Sequence, residues 1–279
     1  MALNLNERQR AMLLEMGVRV WLPGTDFGLA TTMPDAPVSA EPPPRVALPR
    51  PAVRAPDVPQ TPVVARASVV PTATVSPITA APSADGLGWE ALAETVGACQ
   101  ACGLCSGRKN VSFRAATAAQ LDWMVVGDPP DEDEDREGQP FAQAQGMLLD
   151  NMLKAVGARR DGSGAAGAYV THVVKCRPPH GRIPQAAELA QCTQYLQREI
   201  ALVQPKMILA MGRFAMQVLL GEQADLASQP LGKLRGTVYR YRGVPVVVTY
   251  APQVLLRASA DKAKAWADLC LAMDTLESV

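Results

Sequence analysis

Composition alone selects no partner for this 279-residue chain. Charge is balanced, 27 Lys and Arg against 27 Asp and Glu, so bulk electrostatics points neither to a polyanion nor to a basic surface. No apolar run is long enough to cross a bilayer, which excludes a membrane-spanning helix. The opening MALNLNERQR lacks the apolar stretch of a secretory signal, and a cytoplasmic protein is the expectation. Thiols stay reduced in that compartment, so the six cysteines need an explanation other than disulfides. Histidine is scarcest of all. Both copies, His172 and His180, lie in YVTHVVKCRPPHGR (Tyr169–Arg182), with Cys176 between them. That stretch reads as a metal site, a catalytic site, or a strand followed by an ordinary loop.

What the chain does contain is unevenly spread. Residues 31–86 hold 13 of its 24 prolines; they read as a disordered, semi-rigid tether, because proline removes backbone donors and favours extended chain. Residues 1–30 precede it as a short helical element, with a capping-box pattern at Asn6 and Gln9, followed by the extended VRVWLP carrying Trp21. Within the remainder, DPPDEDEDRE (128–137) packs seven acids and one arginine. A run of like charge reads as a solvated loop.

From residue 87 to 279 strands and helices alternate. LDWMVV (121–126), AYVTHVV (168–174), KMILAMG (206–212) and VPVVVTY (244–250) read as strands, the last following the more polar TVYRYRG. GMLLDNMLKAV (146–156) reads as helical, and Leu189, Cys192, Leu196, Ile200 and Val203 mark one face of another helix. A last helix covers roughly 260–276. Alternation of this kind predicts an α/β fold, a mostly parallel sheet covered on both faces. Ligands of such folds sit beyond the carboxyl ends of the strands, where GDPPDEDED, HVVKCRPPHGR and TYAPQVLLR fall.

The cysteines are the strongest local signal. CQACGLC supplies Cys99, Cys102 and Cys105; Cys176 follows a strand and Cys192 lies on a helix. A Cys-x-x-Cys pair with two distant cysteines makes a four-thiolate cage for zinc or for an iron–sulfur cluster, and spacing does not choose between them. Free cysteine is also a common small core residue, the reading we take for Cys270.

Taken in order, Cys99-x-x-Cys102-x-Leu104-x-x-x-Arg108, VVGDPPDEDEDREGQPF, YVTHVVKCRPPHGRIPQAAELAQC, QPKMILAMGRFAMQVLLG, LRGTVY and TYAPQVLLR resemble the type-4 uracil-DNA glycosylases over about residues 95–276. The resemblance implies a three-layer α/β/α fold of the uracil-DNA-glycosylase type. It also implies a 4Fe-4S cluster on Cys99, Cys102, Cys176 and Cys192, with Cys105 at a variable position, and action on single- or double-stranded DNA. In DNA binding, Arg177, Arg182, Arg257 and Lys262 are the expected phosphate contacts.

The same resemblance exposes departures. A motif similar to Gly-Glu-Ala-Pro-Gly reads Gly127-Asp128-Pro129-Pro130-Asp131. Phe141, matching the aromatic that stacks on the base, is kept, and so is Gly127, which opens the altered motif; both are implied as substrate-binding. A strand that ends Thr-Asn in the family ends Thr171-His172, exchanging a fixed amide for a titrating imidazole. A final His-Pro is Ala251-Pro252, and alanine cannot donate to a departing uracil anion. The expectation is a DNA repair or replication protein with weak or lost glycosylase activity. The alternative is an active enzyme in which Asp128 places water and His172 replaces the missing donor. RQRAMLLEMGVRVWLP, in turn, resembles the N-terminal peptide of the psi subunit of the bacterial clamp-loader complex, which implies docking of Trp21 onto clamp-loader or replicative polymerase subunits; the alternative is that Trp21 folds back onto the chain's own domain.

Overall fold

A computed structural model describes residues 82–116, 120–221 and 223–278. The segment with Trp21, its expected docking role and nearly all of the proline-rich tether lie outside them. Ala84, near the end of the expected tether, is buried in the core.

The described elements are α1 (Trp89–Ala98), β1 (Leu121–Gly127), α2 (Glu132–Glu137), α3 (Gln143–Ala155), β2 (Gly164–His172), α4 (Ala186–Val203), β3 (Met207–Met211) and α5 (Arg213–Leu219). They continue with α6 (Ala224–Ala227), α7 (Leu231–Leu234), β4 (Val238–Tyr241), β5 (Val244–Thr249), α8 (Pro252–Arg257) and α9 (Lys262–Glu277). Among the described residues five strands form one sheet in the order β2-β1-β3-β5-β4. β2, β1, β3 and β5 run parallel, and β4 is antiparallel to β5.

Helices cover both faces, which explains why the inner strands are almost wholly apolar. Alternation along β1 sends Trp123 and Val125 into one layer and Met124 and Val126 into the other. The first layer is closed by Leu148, Leu149, Met152 and Leu153 of α3 and by Ala265, Trp266 and Leu269 of α9. The second is closed by Leu92 and Val96 of α1 and by the predicted stripe Leu189, Cys192, Leu196, Ile200 and Val203 of α4. The result is the expected three-layer α/β/α fold.

Two local readings change. TVYRYRG, assigned no strand from its polarity, supplies the edge strand β4, turned back onto β5 at Arg242 and Gly243, both with positive φ (47° and 88°); such turns match the twist of paired strands. The acidic run is not a solvated loop. Glu132–Glu137 is a helix whose N-cap Asp131 accepts from the backbone of Asp133 and Glu134, while Glu134 accepts in return from Asp131 N–H. This capping box turns Glu134 and Asp135 inward.

Candidate active site

The chain leaves β1 for β2 on one side and returns to β3 on the other. The crevice beyond the ends of β1 and β3 is therefore the switch point where such sheets bind ligands. Asp128 stands there, directly after β1. Its Oδ1 accepts from the backbone N–H of Phe214 at 2.7 Å and of Ala215 at 3.1 Å, and its Oδ2 from Arg213 at 3.2 Å. Those donors are the unpaired N–H groups at the start of α5, a place that attracts an anion. The Asp128 carboxylate thus serves as acceptor for the fold's own backbone at the start of α5 while it lines the cleft. Burial nevertheless pushes its carboxyl above the usual range, outweighing the three backbone donors. Asp128→Ala is expected to cost about 1–2 kcal/mol, as for lost helix caps, and Asp128→Asn less, because an amide oxygen still accepts; urea denaturation of the two variants checks this.

Beside it, Gly127, Phe141 and His172 meet. The His172 imidazole lies on the Phe141 ring, centroids 4.7 Å apart and planes 27° apart. Glu134 fixes both: its Oε1 accepts from Phe141 N–H at 2.8 Å and lies 3.1 Å from His172 Nε2. Glu134 and His172 are 2% and 3% exposed. Although burial alone would raise the Glu134 carboxyl, the facing His172 and the two backbone donors bring it below its ordinary range. His172 Nδ1 has no hydrogen-bond partner among the described residues. Gly127 closes the arrangement from below. A Cβ there would stand 2.5 Å from Phe141 Cζ and 2.8 Å from His172 Nδ1, so Gly127→Ala is expected to force the two rings apart and lower thermal stability.

Phe141 itself has positive φ, 54°, an uncommon conformation for an aromatic residue. Arg160 holds the turn, donating from Nη1 to the carbonyls of Pro140 and Phe141 and from Nη2 to that of Gly146. Neither Arg160 nor Glu134 was singled out from sequence. The Asp-x-x-Glu spacing of Asp131 and Glu134 was a readable capping signal, hidden by the charge run around it; Arg160 carried no local signal.

The mouth above Asp128 is an open cleft of about 900 Å³, walled by Pro129, Pro130, Pro178, Pro184, Ile183 and Phe214. Two expected phosphate contacts line it already paired: Arg177 with Glu132 at 3.3 Å and Arg182 with both oxygens of Glu188. Arg257 is exposed on α8 and Lys262 half-buried at the start of α9. Of the two leucines after Ala251-Pro252, Leu255 is core and Leu256 is 47% exposed. His180 sits exposed in its turn, away from these contacts.

The cysteines gather on the opposite layer. Cys176 and Cys192 are buried, and Cys99, Cys102 and Cys105 pack against the same core. Burial pushes the Cys176 thiol up to about 11 and the Cys192 thiol up to about 12; Cys102 and Cys99 add to the first, Cys176 and Cys102 to the second. Cys102 thus stands near both Cys176 and Cys192, and Cys99 near Cys176. Arg108 donates to Cys176 Sγ at 3.2 Å, and the Tyr195 hydroxyl, raised by its burial and by Cys99, lies against the cysteines. Among the described residues no three His, Cys, Asp or Glu side chains stand close enough to hold a single metal ion. Cys270 packs at the edge of the other layer.

The model of the uracil DNA glycosylase superfamily matches residues 115–270. The chain is 36% identical over 173 residues to a type-4 uracil-DNA glycosylase of Sulfurisphaera tokodaii, covering 60% of this chain and 75% of that protein. It is 34% identical over 184 residues to one of Pyrobaculum aerophilum (64% and 90%) and 35% identical over 171 residues to one of Thermotoga maritima (60% and 83%).

Proposed function

The chain belongs to the type-4 uracil-DNA glycosylase family, and from that premise we propose that it is a DNA-binding iron–sulfur protein whose base pocket is closed by its own His172, leaving weak or no uracil excision. The observation that carries this reading is the stack of His172 on Phe141, clamped by Glu134.

Glycosidic cleavage needs an extruded base seated in a fitted pocket and a donor for the negative charge that develops on departing uracil. Phe141 offers the stacking face, but an imidazole covers it. Moving that ring out breaks a stack worth about 0.5–1.5 kcal/mol and separates a buried His–Glu contact of the charge-assisted kind. Even with the base seated, Ala251 supplies no side-chain donor, a loss that costs about a hundredfold to a thousandfold in rate.

The thiols fit a 4Fe-4S cluster in donor type. The set is all sulfur, which suits such clusters, and the Tyr195 hydroxyl against Cys99 offers a hydrogen bond to ligand or cluster sulfur. Cys99, Cys102, Cys176 and Cys192 would hold the group, Arg108 would brace Cys176, and Cys105 is left outside. When bound, the cluster supplies cross-linking of α1, the loop after β2, and α4. The residues of this chain do the rest: they frame the cleft and present it to DNA.

Single-turnover assays on uracil-containing single- and double-stranded oligonucleotides test the reading, using cluster-loaded protein prepared anaerobically. The expected rate is at least about a hundredfold below that of a family member with asparagine and histidine at the positions of His172 and Ala251. Excision at the rate of such a relative would overturn the closed-pocket reading.

A further inference from the structure

Of the four cations that the resemblance put forward, the two that line the mouth are already engaged. The mouth cleft carries Asp128, Asp131 and Glu132 against Arg177 and Arg182, and both arginines are already paired. A further group of cations lines a second cleft between α3 and the 159–161 turn, beside the edge strand β2, to which Arg159 is bridged at Gly167. The cleft has an empty volume of about 740 Å³ and is lined by Arg114, Asp150, Asn151, Lys154, Arg159, Arg160 and Asp161.

The charges there are not balanced. Asp150 is taken by Arg160 at 2.5 Å, and Arg160 turns its remaining donors onto the Phe141 loop. Asp161 is 79% exposed and 3.7 Å from Arg159, itself 67% exposed, a pair too open to neutralise either partner firmly. Arg114 and Lys154 are exposed and make no ion pair among the described residues. Three cations thus face an open cleft with one loosely held acid between them.

We infer that this cleft beside β2 is a nucleic-acid backbone site, in which Arg114, Lys154 and Arg159 contact phosphates at a distance from the mouth. A phosphodiester chain fits better than an acidic protein segment: the cleft shows no buried apolar anchor of the kind that fixes a protein partner, and backbone binding needs only well-placed positive charge. Arg160 separates the site from the base pocket and touches both, so DNA lying in the cleft would rest against the residue that holds the Phe141 turn. The inference rests on the proposed DNA binding but not on whether the base pocket is closed.

Fluorescence anisotropy of a uracil-free oligonucleotide, titrated at several salt concentrations, tests it. The triple variant Arg114→Ala, Lys154→Ala, Arg159→Ala is expected to bind at least about tenfold more weakly. Its dependence of log affinity on log salt should be shallower by about 2–3, since each lost phosphate contact removes roughly 0.7–0.9. Lys154→Glu, a single exposed change, should weaken binding in the same direction and guards against misfolding of the triple variant. Unchanged affinity and slope in both variants, with wild-type protein binding normally, would overturn the inference while leaving the proposed function intact. Loss of poly-glutamate binding with DNA binding unchanged would assign the cleft to an acidic protein instead. Failure of the wild-type protein to bind DNA would overturn both readings.

Discussion

The double variant His172→Asn, Ala251→His is expected to excise uracil at least about a thousandfold faster than the wild-type chain. The two changes act on different steps. Asparagine at 172 is too small to cover Phe141, and it presents one donor and one acceptor where the base edge should lie. By removing an imidazole whose stack and buried contact with Glu134 together hold about 2 kcal/mol or more against the incoming base, it should improve substrate capture more than tenfold. Histidine at 251 restores a donor for the leaving anion, and donors of that kind are worth about a hundredfold to a thousandfold in rate.

The single variants separate these contributions. His172→Asn should lower KM, or sharpen inhibition by free uracil, with little change in kcat; Ala251→His should raise kcat with KM nearly fixed. Glu134→Gln provides a further readout. It keeps an acceptor for Phe141 N–H but removes the charge that holds His172, so the ring should exchange between positions, visible as broadened imidazole resonances. If His172→Asn leaves uracil binding unchanged, the imidazole is not what bars the base, and the closed-pocket reading fails.

Much of this site could be read from residue order. The α/β layering followed from apolar runs of strand length alternating with helical stripes, because burial on both faces of a parallel sheet leaves little choice of side chain. Gly127 and His172 fell at the ends of strand runs, whereas Phe141 stood out only by its likeness to the family's stacking aromatic. What stayed hidden was direction. A sequence states that Asp128 is a carboxylate but not that the start of α5 lies within reach of both oxygens. That contact joins residues 85 to 87 apart in the chain. The acidic run misled for a related reason: its charge suggested solvent, while local capping geometry and the imidazole across the fold made burial of Glu134 tolerable. Arg177 and Arg182 were legible as cations, but their contacts with Glu132 and Glu188 are a property of the folded chain.

The buried pair beneath the site yields the second large effect: Lys175→Met is expected to destabilise the folded domain by about 3–5 kcal/mol. Lys175 and Glu199 are 1% and 0% exposed. Lys175 Nζ donates to Glu199 Oε2 at 2.8 Å, to Thr171 Oγ1 at 2.6 Å and to the His172 carbonyl at 2.8 Å, which uses all three of its protons. Glu199 has less: Oε2 receives Lys175 and Thr171, while Oε1 has no partner among the described residues. Methionine fills the space of the lysine but leaves that carboxylate buried and unpaired, which is the costly outcome. For a domain of this size the loss should lower the melting temperature by roughly 6–20 °C. Removing the second charge should recover most of it. Lys175→Met with Glu199→Met exchanges a buried ion pair for apolar packing, a replacement that is often neutral or stabilising, so the double variant should melt well above the single one. The pair also joins the end of β2, which carries His172, to α4, which carries Cys192. The single variant should therefore expose the Cys192 thiol to alkylating reagents at temperatures where the wild-type chain protects it. A Lys175→Met protein as stable as wild type would mean that Glu199 has found another proton or partner, and the charge would not be what binds strand to helix.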